Sequence, residues 1–382
     1  MNRLGVWVAV AVVFFSSAAF GVQEYYSVSR SIRALGMGGA FYGCSDDESA
    51  LFYNPAGLAL YRGGNQLMVS TEAQISSGGE SAVQTLLDLE QSKGVSSMVS
   101  SLEGLQGTPV YGGLNVFPYY VHKYFAMGLL VDDLKADMSF LGRDAESTLD
   151  LTAISDSGLF MGFAVPVSSH LFVGANVKAL YRAGGHKEFS LVDIVNSSNA
   201  SLQNLGGAGA GVDADIGVQT QWEKTTGVNG GLGASINNLA ASTFPLFRVD
   251  GAPPGLVRMA SVGGYLELPG NHVYNYLRFL LDLSEFSLGG ESDPDLGARD
   301  GSFFKHVDLG AEMPLNGWIF VRAGLHQGDY TFGLGLNLNY LKLDFATYGE
   351  ELDSGVGRLS SRRYMLRLAF GFGAPSVAHR KS

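Results

Sequence analysis

The chain has 382 residues, of which 46% are apolar and 16% charged, with 52 glycines and a formal net charge of −11. The acidic balance excludes a nucleic-acid binder, which needs a basic face. No internal run approaches the ~18 apolar residues of a spanning helix, and glycine at about twice the usual ~7% disfavours a soluble enzyme.

Residues 1–21 read as a secretory signal: Arg3 supplies the charged start, Leu4–Phe15 the apolar core and Ala19-Phe20-Gly21 a small-x-small cleavage site. A retained anchor is the alternative, for which the apolar core is short. No cysteine follows the site, which argues against a lipid anchor, so the mature chain is expected to start near Val22. Residues 22–64 then read as a compact plug, centred on SIRALGMGGAFYGCSDDESALFYNPAGLAL at 31–60. Gly36, Gly38 and Gly39 permit positive φ or close backbone approach. Ser45, Asp46 and Asp47 are N-cap residues with acidic groups suited to a positive helix end, so a short helix is expected over Glu48–Tyr53. Pro55 pushes Asn54 out of αR and should stop that helix, with a turn at Asn54-Pro55-Ala56-Gly57. Leu35, Met37, Phe41, Leu51, Phe52 and Leu58 are left to pack on something larger. Cys44, the single cysteine, reads as a small buried apolar residue. A phosphate loop is disfavoured, because Gly-Met-Gly-Gly lacks the Lys-Ser/Thr and the preceding strand that such a loop needs.

Downstream the chain reads as strands at 67–76, 109–120, 121–132, 147–155, 156–166, 170–183, 207–222, 227–238, 256–268, 273–285, 303–314, 317–327, 329–338, 340–348 and 361–373. Two excursions, 81–105 and 187–205, show helical spacing of apolar residues. That strand tally is odd, whereas single-chain bacterial barrels have even counts. The surplus is expected near 121–166, and about fourteen strands are expected in all. In 331–338 Phe332, Leu334, Leu336 and Leu338 oppose Thr331, Gly333, Gly335 and Asn337; in 364–372 Tyr364, Leu366, Leu368, Phe370 and Phe372 oppose Met365, Arg367, Ala369 and Gly371. One face suits lipid and the other is small or polar, the pattern of a transmembrane barrel. Such a barrel must close, because an open edge cannot survive in hydrocarbon. The fold class is thus all-β: a transmembrane antiparallel barrel over 65–373, an N-terminal hatch and a tail at 374–382. Phe117, Tyr119, Tyr120, Tyr124, Tyr181, Trp222, Trp318 and Tyr330 fall near strand ends, where amphipathic rings suit membrane interfaces.

Chemistry is sparse. The seven histidines form no i, i+4 metal pair; His186 and His379 read as exposed and His326 as facing the lumen. No Ser-His-Asp order with an elbow turn occurs, and neither catalytic residues, a cofactor nor a metal are expected. The acidic stretch 291–300 lacks the spaced ligands of a calcium loop and reads as a solvated turn. Arg322, His326, Lys342, Asp344 and Arg367 are lumen candidates, explained equally well by structural pairing or by a substrate path.

The segments ALGMGGAF and SDDESALFYNPAGLA resemble the hatch of the FadL-like superfamily of outer-membrane barrels, closest to the branch holding PorV-type and TraF-like proteins. Residues 322–352 are similar to that branch's closing strands. The resemblance implies about fourteen strands, an outer-membrane location and gating by Gly36, Gly38, Gly39, Asp46, Asp47, Asn54, Pro55, Ala56 and Gly57. It implies passage of fatty-acid-like molecules, released sideways through the wall; a PorV-like scaffold that binds an exported protein is the alternative. Lipid, the barrel-assembly machinery, and a hydrophobic ligand or exported protein are the expected partners. This inference rests on fold likeness alone.

Overall fold

The computed structural model describes residues 27–79, 108–141, 148–190, 206–224, 227–289, 302–338, 340–353 and 355–372. The signal (1–21), the 81–105 excursion, the acidic stretch 291–300 and the tail 374–382 lie outside these residues. So does most of the 187–205 excursion, whose first residues complete a strand.

In chain order the strands are β1 (Gln66–Ser76), β2 (Val110–His122), β3 (Phe125–Leu141), β4 (Thr148–Pro166), β5 (Leu171–Ser190), β6 (Gly207–Thr220), β7 (Trp222–Glu223) and β8 (Asn229–Asn237). They continue as β9 (Leu246–Val249), β10 (Met259–Pro269), β11 (Tyr276–Ser287), β12 (Val307–Leu315), β13 (Ile319–His326), β14 (Asp329–Leu338), β15 (Leu341–Glu351) and β16 (Ser360–Phe372). Each pairs antiparallel with its neighbours. The ring closes where β16 meets β1, from Leu67↔Phe372 to Ser76↔Arg363, and where β6 meets β8, from Ile216↔Ile236 to Gln219↔Gly233. Two-residue β7 continues β6 along β8, and four-residue β9 lies beside β6, so the wall is a closed 14-strand barrel. The expected surplus strand resolves as predicted by position: 147–155 and 156–166 are one strand, β4. Lys135–Leu141 belongs to β3. Short β9 carries no alternation and was not expected.

Period-two alternation sets the two faces. Leu366, Leu368, Phe370 and Phe372 on β16 are exposed outward, as are Leu159, Phe163 and Val165 on β4. Met365, Arg367 and Ala369 are buried inward. Tyr181 and Tyr330 are exposed on the outside as expected of interface aromatics, whereas Trp318, also exposed, borders the mouth of the lumen at a short turn. Phe117 and Tyr119 are not: they point inward, and the Phe52 ring of the hatch packs on Phe117 at 5.2 Å. Their strand-end position was right, but the parity of β2 places them in the lumen.

One stretch of wall is irregular. Along Ala208–Asp215, β6 does not pair with β8. A strap, 238–257, crosses there instead, and its β9 touches β6 only at Ala208↔Val249 and Ala210↔Leu246. Asn238, Ala241, Phe244, Phe247 and Asp250 of the strap all take left-handed φ, between 46° and 58°. Each such residue is strained by roughly 1–3 kcal/mol. Buried anchors hold it: Asp213 accepts from Ala240 N and Ser242 N, and Arg258 donates to Leu239 O.

The hatch fills the lumen in three short turns. Helix α1 (Ile32–Gly36) was not expected. A 3₁₀ turn spans Glu48–Leu51, capped by Asp47 accepting from Ser49 N, and is shorter than the expected Glu48–Tyr53 helix. Pro55 does not merely end that turn. It opens a second 3₁₀ turn, Pro55–Leu60, whose cap is Asn54 accepting from Ala56 N at 3.1 Å. Proline's missing N–H and fixed φ suit that first position. Met37, Phe41, Leu51 and Leu58 join one apolar cluster with wall residues, as expected, while Leu35 joins a second with Ala346 and Tyr348.

Candidate functional site

The candidate site is the contact between hatch and inner wall. Glycine makes that contact possible by backbone approach. Gly38, at φ +70°, could not carry a Cβ, which would fall 2.2 Å from Leu309 O. Gly39 also takes positive φ, but Gly36 and Gly57 do not. These two serve by close approach, which for Gly36 is the second of the two uses expected of it. A Cβ on Gly36 would sit 3.1 Å from Gly333 Cα, and one on Gly57 would sit 2.2 Å from Ser45 O. Facing them, wall Gly174 and Gly217 leave room for Ala56 and Asn54. Asn54 Nδ2 donates to Tyr42 O and to Val218 O of the wall, both at 3.1 Å, which ties the hatch to β6.

Charge then fixes the hatch around the lumen. On β12, Glu312 stands directly between Arg278 of β11 and Arg322 of β13. Arg33 of α1 donates to both its carboxylate oxygens at 2.8 and 2.7 Å, Arg322 Nε donates at 3.0 Å and Tyr276 OH at 2.9 Å. Arg322 also reaches Asp344 at 2.9 Å, and Asp46 bridges Arg33 at 2.7 Å and Arg278 at 3.0 Å. Across the lumen, Glu48 pairs with Arg367 and lies 3.8 Å from Lys342, with Tyr119 OH accepting from Arg367 at 3.2 Å. Near α1, His326 meets Asp308 at 2.8 Å and Gly38 O at 3.2 Å, while Arg30 pairs with Glu350 at 2.6 Å. Asp282 accepts from Phe41 N and Tyr42 N at 2.6 and 2.5 Å.

All five lumen candidates therefore face inward, and all but Lys342 and Arg367 belong to the α1 side. His326, Lys342 and Arg367 reach hatch groups, whereas Arg322 and Asp344 pair with each other, and Arg322 with Glu312, on the wall. Buried pairs of this kind specify position more than they add net stability. Within the hatch, burial alone would lower the Arg33 pKa, but Asp46 and Glu312 outweigh it and raise it. Burial opposes charge on Asp46 and on Glu48 as well. Arg278 and Arg33 nevertheless hold Asp46 below the usual carboxylate range, and Lys342 and Arg367 do the same for Glu48. Asp47 goes the other way, pushed up by burial and by Glu48. Burial also pushes the Cys44 thiol up.

Sequence reasoning missed Arg30, Arg33, Glu48, Arg278, Asp282, Glu312 and Glu350. The available signal was parity: Glu312 lies on the inward face of β12, two residues from inward Gly310. At the end of the barrel bearing the short turns, the lumen opens into a cavity of about 770 Å³ lined by Asp46, Glu48, Arg62, Arg278, Lys342 and Trp318, among others. Behind the hatch a small space of about 40 Å³ lies between Val28, Leu51, Phe52, Phe160 and Met259. No helix among the described residues is long and apolar enough to cross a membrane, which says nothing of crossing by strands.

No family model matches the sequence, and no curated protein does. Several solved barrels are similar in overall fold. The Ralstonia pickettii toluene transporter TbuX is 11% identical, with 93% of this chain and 100% of that chain covered and a TM-score of 0.48. The Pseudomonas putida toluene transporter TodX is 12% identical, with 93% and 99% covered and a TM-score of 0.44. A Pseudomonas aeruginosa FadL homologue is 11% identical, with 91% and 98% covered and a TM-score of 0.34. At such values the likeness is one of general fold, and the barrel itself is established by the strand pairing above.

Proposed function

We propose that this chain is an outer-membrane barrel that passes small, fatty-acid-like apolar molecules through a lumen gated by its hatch. One observation carries the reading: at the strap, where the strand pairing of the wall is interrupted, the wall is apolar on both its inner and its outer side. On the inner side Phe244 is fully buried in the same cluster as Phe41, Leu51, Phe117 and Phe160. On the outer side Leu246, Phe247 and Val249 are exposed, Phe247 by 81%. Backbone pairing of the wall is interrupted between these two sides. A polar solute has no use for such a stretch, and a lumen this closely plugged is not an open pore. Within the superfamily, residues 31–60 and 322–352 favour the branch with PorV-type and TraF-like barrels. Hatch gating is assigned to the Gly36–Gly39, Asp46-Asp47 and Asn54–Gly57 contacts, and insertion to the barrel-assembly machinery. The short turns then face the periplasm, as in other single-chain barrels.

A reversible staple tests the path. A Cβ on Gly209 would lie 3.2 Å from Phe244 Cβ, close to the ~3.5–4.5 Å that a disulfide spans; it would also lie 2.5 Å from Phe244 O, so a cysteine there shifts the strap and the reference for the staple is the same variant when reduced. Gly209→Cys with Phe244→Cys, in a Cys44→Ala background, should block uptake of a labelled long-chain fatty acid and of toluene when oxidised and restore it when reduced. Uptake indifferent to oxidation would remove the strap from the path. No uptake above an empty-membrane control by the wild type would remove the transport reading.

A further inference from the structure

At the end of the barrel bearing the long connections, β4 and β5 are the longest strands, at 19 and 20 residues. Their register places Asp150 directly opposite Glu188 and Thr152 directly opposite His186. Even-numbered residues of both strands point inward, so these four side chains share one face. His186, read from sequence as exposed, has only 24% of its side chain accessible.

Two like charges directly opposite each other destabilise a strand pair. The charges that act on Asp150 are those of His186, its ion-pair partner, and of Glu188 itself. Asp150 is 5% exposed, and its Oδ2 has no hydrogen-bond partner. A buried acceptor left so costs about 1–3 kcal/mol, more when charged. Its Oδ1 lies 3.1 Å from His186 Nδ1. One imidazolium could neutralise only one of the two carboxylates and would still leave Oδ2 unmet. Ligand atoms of Asp150, His186 and Glu188 all lie within 4.8 Å of one another.

We propose that Asp150, His186 and Glu188 bind a divalent transition metal of the zinc class. Three ligands, one imidazole nitrogen and two carboxylate oxygens, with a remaining position for water, match Zn²⁺ coordination. Calcium is disfavoured, since it takes six to eight oxygens, and imidazole selects for the later first-row metals. Bonds of about 2.0–2.2 Å to a tetrahedral ion place neighbouring ligand atoms roughly 3.4 Å apart. The Asp150–His186 separation already meets that spacing, and the exposed Glu188 carboxylate closes the third side by turning. Thr152 Oγ1, 3.1 Å from His186 Nδ1, is positioned to donate to a bound carboxylate or water. The ion would cross-link β4 and β5 beside the 191–205 connection. This site is independent of the transport reading, because it shares no residue with the hatch or the strap.

The test is Co²⁺ titration of the chelator-stripped, detergent-solubilised barrel, read by its visible absorption bands, followed by displacement with Zn²⁺. The wild type should bind one equivalent that Asp150→Asn and His186→Ala abolish and Glu188→Gln weakens at least tenfold. His170→Ala, on a short turn at the opposite end, should leave it intact. Heat-modifiable migration on a gel shows that each variant is a folded barrel. No Co²⁺ bands in the wild type at millimolar metal, or unchanged binding in Asp150→Asn and His186→Ala, would overturn the site. Unchanged affinity in Glu188→Gln would overturn the three-ligand arrangement.

Discussion

Replacing Glu312 with Gln isolates the charge that holds the hatch. Glu312 is fully buried, and three guanidiniums converge on it: Arg33 from the hatch, and Arg278 and Arg322 from the wall. Removing one partner of a buried pair costs about 3–5 kcal/mol. Two facts set where in that range the hatch falls. Arg322 and Arg278 remain in the wall whether the hatch is docked or not, so their loss weakens both states and largely cancels. Arg33 does not: Asp46 and Asp47 travel with it and keep part of its charge paired, but when docked it also faces Arg278 and Arg322 with their shared carboxylate gone, and when released it faces water. It is also 14% exposed toward the large cavity, so solvent relieves part of the cost, and about 3 kcal/mol is the working figure. At 1.4 kcal/mol per tenfold, the released population rises roughly 10²-fold. The protein carries its own reporter. Cys44 is its single cysteine, sits in the hatch and is 1% exposed, so a maleimide reaches it only on release. Labelling of folded Glu312→Gln barrel should be roughly 10²-fold faster than wild type at one pH. The strand ladders are backbone bonds and should survive, which heat-modifiable migration checks. A folded variant that labels no faster than wild type refutes the argument that this charge latches the hatch.

Neighbouring acids should act with opposite signs. Asp46 and Glu48 have lowered values in the docked hatch. Their contribution is therefore full above the ordinary carboxylate value near ~4 and is lost only as pH falls through the depressed values. Asp47 is raised, so its contribution is present below the ordinary value and lost as pH rises through the raised one. Hydrogen exchange of hatch amides, corrected for intrinsic rate, should thus not rise between pH 7 and pH 5; an increase there would contradict the assignment. At neutral pH, Asp46→Asn should speed Cys44 labelling, while Asp47→Asn should do so less: it loses a bond to Arg33, but its charge is opposed by burial and by Glu48, and an amide oxygen still caps Ser49 N. Gly57→Ala should loosen the hatch by about 1–3 kcal/mol through the Ser45 O clash, and Pro55→Ala by less, since the Asn54 cap remains; equal labelling rates in the two would show that the clash is relieved elsewhere. Deleting residues 22–64 should leave a heat-modifiable barrel with an ion conductance absent from the full chain; failure to fold would make the hatch part of the folding core.

Most of the wall was legible because lipid outside and close packing inside impose a strict period of two. Phe370, Leu368 and Leu366 against Ala369 and Arg367 leave no other reading. The strap escaped because Leu246–Val249 is exposed at every position and alternates with nothing. The lumen candidates were found from their polarity, but their partners were not. Ion pairs such as Arg30–Glu350, 320 residues apart, are set by barrel register and leave no local spacing. Pro55 was misjudged in a more local way. A proline that ends one turn can begin the next, and the deciding feature was Asn54, which reads equally well as a turn residue or as a cap.

On the proposed function, a polar latch beside an apolar cargo path is a physical advantage rather than a contradiction. Were the hatch held by apolar contact alone, an apolar cargo would compete for the same surface and its own binding would release the lock without selectivity. Here the two functions occupy different surfaces. Arg33, Asp46 and Glu48 border the large cavity at the short-turn end, whereas Phe52, Phe117, Phe160 and Phe244 lie in the apolar cluster. Released Arg33, Asp46 and Glu48 are resolvated by the water of that cavity, so opening does not strand charges in a dry interior, the step that makes a buried pair so costly to break. The wall half of the latch is held together without the hatch, since Glu312 keeps Arg278 and Arg322 as cross-strand neighbours. The hatch can therefore leave and return to a preformed socket. Its return should then depend on ionic strength while the apolar cluster should not, so Cys44 labelling of the wild type should quicken with added salt to a smaller extent than in Glu312→Gln at low salt. Labelling that is independent of salt would place the lock in the apolar contacts instead.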